Sequence, residues 1–174
     1  MTVCDASPPG LRDDFDLSDL RRTYACFPSG VVSICTLADG VPVGLVASSF
    51  TSVSMTPPLV SFCIKTESAT WPQLERLPRL GVRVLGEAHD AACRQLSAKA
   101  GDRFAGLDLH TTPDGAVLIA GAPAWLECTI ADQIPAGDHV IVLLRVVAVT
   151  ADHDVLPLVF HASSFGAVRK DLAP

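Results

Sequence analysis

Residues 31–48 read VVSICTLADGVPVGLVAS. Two apolar, β-branched runs flank Asp39-Gly40, and both turn residues accept the positive φ that a type I′ hairpin turn demands. The spacing predicts a strand over 31–37, the turn, and a returning strand over 41–48. Working outward, further strands are expected over 59–65, introduced by Pro57-Pro58, and over 80–85, 124–131, 140–150 and 156–160. Helices are expected in three places. One is capped by Asp16 or Ser18 and carries Leu17, Leu20, Tyr24 and Phe27 at roughly helical spacing. The second covers 68–76, with Ser68 as cap and Pro72 in the first turn, and the third runs over the Ala-rich 88–100 until Gly101 stops it. Residues 1–15, containing Pro8, Pro9 and Gly10, read as a loose leader, and 16–174 as one domain. Seven or so strands, one hairpin and short helices lack the strict β-α alternation of a parallel sheet. The pattern therefore predicts a mainly β fold, an antiparallel barrel or Greek-key sandwich with helices at its ends.

Composition excludes several function classes. The 174 residues carry 13 Lys plus Arg against 19 Asp plus Glu, a formal charge of −6, with 49% apolar and 18% charged residues. A disordered chain would have few apolar residues and much charge. No basic excess exists to neutralise phosphates along a duplex, so no nucleic-acid partner is expected. The longest apolar run, 140–150, is interrupted by Arg145 and falls far short of the roughly 20 residues of a spanning helix. The first fifteen residues are polar and acidic where a signal peptide is apolar, so a soluble, cytoplasmic protein without a membrane partner is expected. The six cysteines contain no C-x-x-C pair and the five histidines are dispersed, so neither a metal site nor disulfides are expected. Buried free thiols are expected for most of them.

Common catalytic signatures are missing: there is no G-x-G-x-x-G, P-loop, G-x-S-x-G or H-E-x-x-H. What remains is 44–54, GLVASSFTSVS, a cluster of small and hydroxyl-bearing residues where an apolar strand ends. Small side chains let main chain approach a flat ligand, and hydroxyls and strand-end N–H groups donate to ring carbonyls or phosphate oxygens. The same stretch also reads as a polar loop capping a strand.

The order of segments adds a resemblance. Phe27-Pro28-Ser29-Gly30-Val31-Val32, Asp39-Gly40-x-Pro42-x-Gly44 and Ala47-Ser48-Ser49-Phe50-x-Ser52-Val53-Ser54-x-x-Pro57-Pro58-Leu59-Val60 come first. Val82-x-Val84-Leu85, Asp102-Arg103-Phe104-Ala105-Gly106, Leu126-Glu127-Cys128, Gly137-Asp138-His139 and Pro157-Leu158-Val159-Phe160 continue the series. The chain, over roughly 18–168, resembles the short-chain flavin reductases, the reductase components of two-component flavin monooxygenases, built on the FMN-binding split β-barrel. The resemblance implies a Greek-key split barrel and a homodimer with FMN, or FAD, at its interface. It also implies NADH or NADPH as hydride donor and delivery of reduced flavin to a separate monooxygenase. By position, Pro42, Val43, Gly44, Leu45, Val46, Ala47, Ser48 and Ser49 would line the flavin. Cys63, Ile64 and Lys65 would touch it from the next strand, and Ala69 and Thr70 would hold its phosphate at a helix start. His139, Phe160, His161, Ala162 and Ser163 would face NAD(P)H. No catalytic side chain is implied beyond a possible assisting role for His139, because the cofactors carry the chemistry. His139 alone reads equally as a structural histidine fixed by Asp138, and Arg103-Phe104 as a loop brace. Two features depart from the family pattern. Arg83 stands where many relatives have Asn, and the terminal segment lacks the Tyr and Arg common after the Phe. These departures keep open a flavoenzyme that retains its flavin and acts directly on an organic substrate, or a non-catalytic flavin or haem binder.

Overall fold

In the computed structural model, which describes residues 10–168, the predicted hairpin is present: β2 (Val32–Ala38) and β3 (Val41–Ala47) pair antiparallel around Asp39 and Gly40. Those two residues have φ of 51° and 80°, the left-handed pair a type I′ turn needs. Before them stand α1 (Leu17–Tyr24) and β1 (Ser29–Gly30). After them come β4 (Thr51–Met55), β5 (Pro58–Lys65), the single turn α2 (Trp71–Leu74), β6 (Leu80–Val84) and α3 (Asp90–Leu96). The chain closes with β7 (Leu109–Thr111), β8 (Val117–Ile119), β9 (Ala124–Ala136), β10 (His139–Ala151), β11 (Leu158–His161) and β12 (Ser164–Ala167).

The main sheet has seven strands in the order β3-β2-β6-β9-β10-β5-β4, all neighbours antiparallel. Consecutive strands β3 and β4 lie at its two opposite edges, yet only Ser48, Ser49 and Phe50 join them. From Ala47 to Thr51 the chain reaches at most about 14 Å. The two edges therefore have to curl to within that distance of each other, giving a barrel that is left open along one seam. The expected antiparallel Greek-key split barrel is the observed architecture.

Two cores follow from the alternation of side chains. Inside the barrel, Ile34, Leu45, Phe62, Leu80, Val82, Val142 and Leu144 pack around Trp71 and Leu74 of α2. On the outer face Val31, Leu85, Cys93, Leu96, Ile119 and Leu158 form a second cluster under α3. The β7–β8 hairpin lies on this outer face, and Gly81 makes the approach possible: a Cβ there would collide with the Val117 carbonyl oxygen. His89 pins the neighbouring turn, its Nδ1 accepting from the Gly86 N–H and its Nε2 donating to the Ala120 carbonyl, both at 2.9 Å.

Several elements differ from expectation. The helix expected over 88–100 starts as a 3-10 turn and ends at Leu96, because the Ser97 hydroxyl and N–H both bond the Cys93 carbonyl and close the last turn. The helix expected over 68–76 is one turn. Ser68, as expected, supplies its cap oxygen, accepting from the Trp71 N–H at 3.1 Å, and Pro78 follows closely. The region between 102 and 123 holds the β7–β8 hairpin rather than only loop, and β9 runs five residues past the expected end at Ala131. α1 has the expected Asp16 cap, in a capping box with Asp19, but buries none of its residues: Leu17, Tyr24 and Phe27 are exposed. Cys4 and most of the expected leader lie outside the described residues.

Cys35, Cys93 and Cys128 are buried, and burial pushes their thiols up to about 12, 11 and 12. Thiolate is the reactive form, so these three should resist a disulfide reagent at pH 8 in the native protein and react once urea is added. Native labelling of more than three of the six cysteines would place one of them at the surface. Among the described residues no helix is long and apolar enough to cross a membrane.

Candidate functional site

The seam of the barrel is held at one point by a side chain. The Ser49 hydroxyl accepts from the Cys63 N–H at 2.8 Å and donates to the Cys63 carbonyl at 3.2 Å. One hydroxyl thus does what a neighbouring strand would do for that residue of β5. Ser48, beside it, is exposed and lines a cleft of about 550 Å³. Three walls enclose this cleft: the Ser48–Ser49 connector, the segment from Phe160 to Ser163, and the side of α1 carrying Arg21, Tyr24 and, just beyond it, Phe27. A smaller apolar extension of about 230 Å³ continues from Ser48 and Phe160 towards Val31, Val46, Cys93 and Phe165.

The turn between β11 and β12 shapes the second wall. Ala162 and Ser163 sit at φ of 47° and 62°, so two residues with side chains occupy the left-handed region at a cost of about 1 kcal/mol or more each. The Ala162 N–H donates to the Ala25 carbonyl at 3.1 Å, tying the turn to the end of α1. Behind it, the rings of Phe160 and Phe165 lie 5.2 Å apart. Strand β1 pairs with β11, placing Ser29 opposite Phe160.

The remaining sequence-predicted residues fall into other places. Leu45 and Ala47 are buried in the inner core and are used in packing. Gly44 is small for a packing reason: a Cβ there would collide with the Cys35 sulfur and lie 2.9 Å from the Ile34 carbonyl oxygen. Pro42 and Val43 stand nearer the Asp39-Gly40 turn, opposite Leu37 and Thr36, and do not line the cleft. Lys65 pairs in register with His139 across β5 and β10, and Ile64 with Val140. His139 Nδ1 is 2.8 Å from Asp138 Oδ1, and that hydrogen bond holds the Asp138 carboxyl below its usual pKa. The Thr66 N–H and hydroxyl both donate to the Asp138 carbonyl, fixing the β9–β10 turn against the end of β5. Thr70 accepts from the Arg103 guanidinium at 3.4 Å, and Ala69 lies exposed beside it. Arg103 therefore braces its loop and brings a cation to the residues that the sequence assigns to a phosphate. His139, Lys65, Ala69 and Thr70 do not line the cleft within one chain.

So the structure brings together Ser48, Ser49, Phe160, His161, Ala162 and Ser163, with Val46 in the extension, and leaves the cluster around Lys65 and Thr70 apart. Sequence reasoning missed Arg21, Tyr24 and Phe27 as wall residues. Aromatics at helical spacing read as core positions, and the signal that separates the two cases, a partner for that helix face, is a tertiary one.

The residues present fit a flat, anionic, aromatic ligand. The cleft has a small polar wall at Ser48, an apolar floor, and three aromatic side chains at its sides. Among the described residues no carboxylate lines it. A second cleft of about 480 Å³, between residues 10–15 and α1, holds none of the sequence-predicted site residues, and there Asp19 is paired with Arg12 and Arg22.

A family model described as a flavin reductase like domain matches residues 24–169. The chain is 33% identical over 151 residues to a protein of Rhodococcus jostii named flavin-dependent monooxygenase, reductase subunit HsaB, covering 87% of this chain and 77% of the relative. It is 37% identical over 155 residues to the actinorhodin polyketide dimerase of Streptomyces coelicolor, covering 88% and 87%. Among solved structures it is similar to the Streptomyces globisporus NADH:FAD oxidoreductase SgcE6 in complex with NAD and FAD fragments. That match has a TM-score of 0.85 and 35% identity, covering 91% of this chain and 96% of the other.

Proposed function

Because the chain belongs to the flavin reductase family, we propose that it is an NAD(P)H:flavin oxidoreductase that supplies reduced flavin to a separate monooxygenase. The observation that carries this reading is the facing of the Ser48–Ser49 connector and the Phe160–Ser163 segment across one cleft. When bound, the flavin, FMN or FAD, would supply the acceptor for a hydride from NADH or NADPH, with one proton taken from solvent to complete the reduced flavin and NAD(P)+ left behind. The protein needs no nucleophile or general base for this.

Each wall has a task. Ser48 presents a hydroxyl and adjacent main chain to ring heteroatoms. Val46, Val31 and Phe160 make the floor apolar and exclude water. Tyr24, Phe27 and Phe160 offer faces for stacking. Ala69 and Thr70, with Arg103 beside them, hold the flavin phosphate, and Lys65, five residues before Thr70, contacts the flavin from the end of β5. His139 faces the donor from a second copy of the chain, which places the flavin at a homodimer interface. Exposed apolar side chains on β4, β9 and β10, among them Val53, Met55, Ile134 and Val149, give that second copy a surface to cover. Residues 16–174 form the reductase unit, with 1–15 outside it, and the protein works in the cytoplasm.

Steady-state oxidation of NADH and NADPH, with and without FMN, FAD and riboflavin, tests the activity. A flavin-dependent rate is expected, and its absence with both donors would overturn the assignment. Replacing Ser48 and Ser49 together by alanine should weaken flavin affinity by about 1–3 kcal/mol, since ligand acceptors and the Cys63 amide lose their partners. Unchanged affinity in a fluorescence titration would put the flavin elsewhere. The likeness to a protein named a polyketide dimerase supports a second reading, a flavoenzyme that keeps its flavin and acts on an organic substrate directly. Flavin that stays bound through gel filtration and reacts slowly with both donors would favour that reading.

A further inference from the structure

The charges on α1 are divided between two faces. Asp19 is clamped by Arg12 at 2.6 Å and by Arg22, whose other nitrogen donates to the Ser18 hydroxyl at 2.8 Å. That side of the helix faces the second cleft, where the charges offset one another. Arg21 lines the main cleft, on the same face as Tyr24 and Ala25, three and four residues on. Its guanidinium has no ion pair or hydrogen bond among the described residues. Across the cleft stand His161 and the Ser163 hydroxyl, both exposed. In a chain of net charge −6, the described residues of this cleft thus comprise one cation without a partner among them, one imidazole and no carboxylate.

We infer that Arg21 binds a phosphate of the pyridine-nucleotide donor, an inference that rests on the reductase reading above. The aromatic walls select an anion carried by a ring system over a free inorganic ion. The donor is favoured over the flavin because a different cation, Arg103, already stands with Thr70 in the separate cluster. Among the described residues Arg21 has no ion pair to break before it engages a phosphate. The tie from the Ala162 N–H to the Ala25 carbonyl keeps α1 in register with the opposite wall, so Arg21 and His161 remain on two sides of one cleft.

Three variants and two classes of donor test this. Arg21→Gln should raise the KM for the physiological donor about tenfold, the scale of one charge-assisted hydrogen bond, and flatten its dependence on salt. Arg21→Lys should restore part of the affinity. Arg22→Gln, on the other face, should leave the donor KM unchanged. With 1-benzyl-1,4-dihydronicotinamide, which has no phosphate, Arg21→Gln should show no such penalty. Calorimetric titration with NAD+ and NADP+ gives a readout independent of turnover and should show the same loss. A loss with both nucleotides assigns the pyrophosphate, and a loss with NADP+ alone assigns the 2′-phosphate. Unchanged nucleotide binding, an equal penalty with the phosphate-free donor, or a loss seen with FMN but not with the donor would each overturn the inference. If the unaltered protein oxidises neither donor with any flavin, the reductase reading fails instead, and the calorimetric comparison still decides the role of Arg21.

Discussion

Gly81→Ala is expected to destabilise the protein by about 3 kcal/mol or more, at the upper end of what overpacking costs. The added methyl would collide with the Val117 carbonyl oxygen and lie 2.9 Å from both the Val117 carbonyl carbon and Leu118 Cδ2. Backbone atoms of a paired strand do not rotate away as a flexible side-chain end does, so β8 has to lift from the sheet. Val117 and Ile119 are buried there, and Arg83 and Cys35 on the same side of the sheet are fully buried, so lifting the hairpin exposes all of them. Urea denaturation followed by fluorescence should show the midpoint falling sharply. Gly166→Ala is the control: a Cβ at that position meets nothing within 4 Å and its φ is ordinary, so little change is expected. A Gly81→Ala midpoint indistinguishable from that of the control would mean that β7–β8 does not rest on the sheet as described.

Arg83→Met should have the opposite sign, stabilising the protein by about 1–4 kcal/mol, the range seen when buried charge gives way to apolar packing of similar size. Arg83 is fully buried, and its Nε, Nη1 and Nη2 have no hydrogen-bond partner among the described residues. Burial pushes the guanidinium down to about 10, so it is still charged at neutral pH. The compensating contact is the Trp125 ring, 4.3 Å away, which in turn stacks on His110 at 5.3 Å. A desolvated cation–π pair is worth about 2 kcal/mol, less than the cost of leaving buried charged donors unpaired. Methionine ends about where the arginine Nε stands; it gives up the guanidinium contact with Trp125 but keeps an unbranched, adaptable apolar stem and removes the charge. A thermal midpoint lower in Arg83→Met than in the unaltered protein would show that the guanidinium stabilises the fold.

Much of the fold was legible because most strands of the main sheet are periodic and apolar: β2, β3, β5, β6 and β10 supply much of the two buried clusters. What was not legible is polar or very short. In β4 the run Thr51-Ser52-Val53-Ser54-Met55 sits at a sheet edge with little burial, so no apolar face marks it. The β11–β12 turn has Ala162 and Ser163 where positive φ normally calls for glycine, and thus no hairpin signal. At the site, both serines of the hydroxyl cluster 48–49 line the cleft, and Ser49 in addition bonds the Cys63 backbone, a contact its sequence position does not announce. The pairing of Lys65 with His139, and the arrival of Arg103 at Thr70, join residues 74 and 33 positions apart and depend on strand order, which composition does not encode.

Three residues are all the chain has to pass from one margin of the curled ribbon to the other. An insertion there would push the margins apart or bulge into the binding space, and a deletion would tear Ser49 from its double contact on β5. Chemical variation at this wall is therefore restricted to exchanging one side chain for another at constant length.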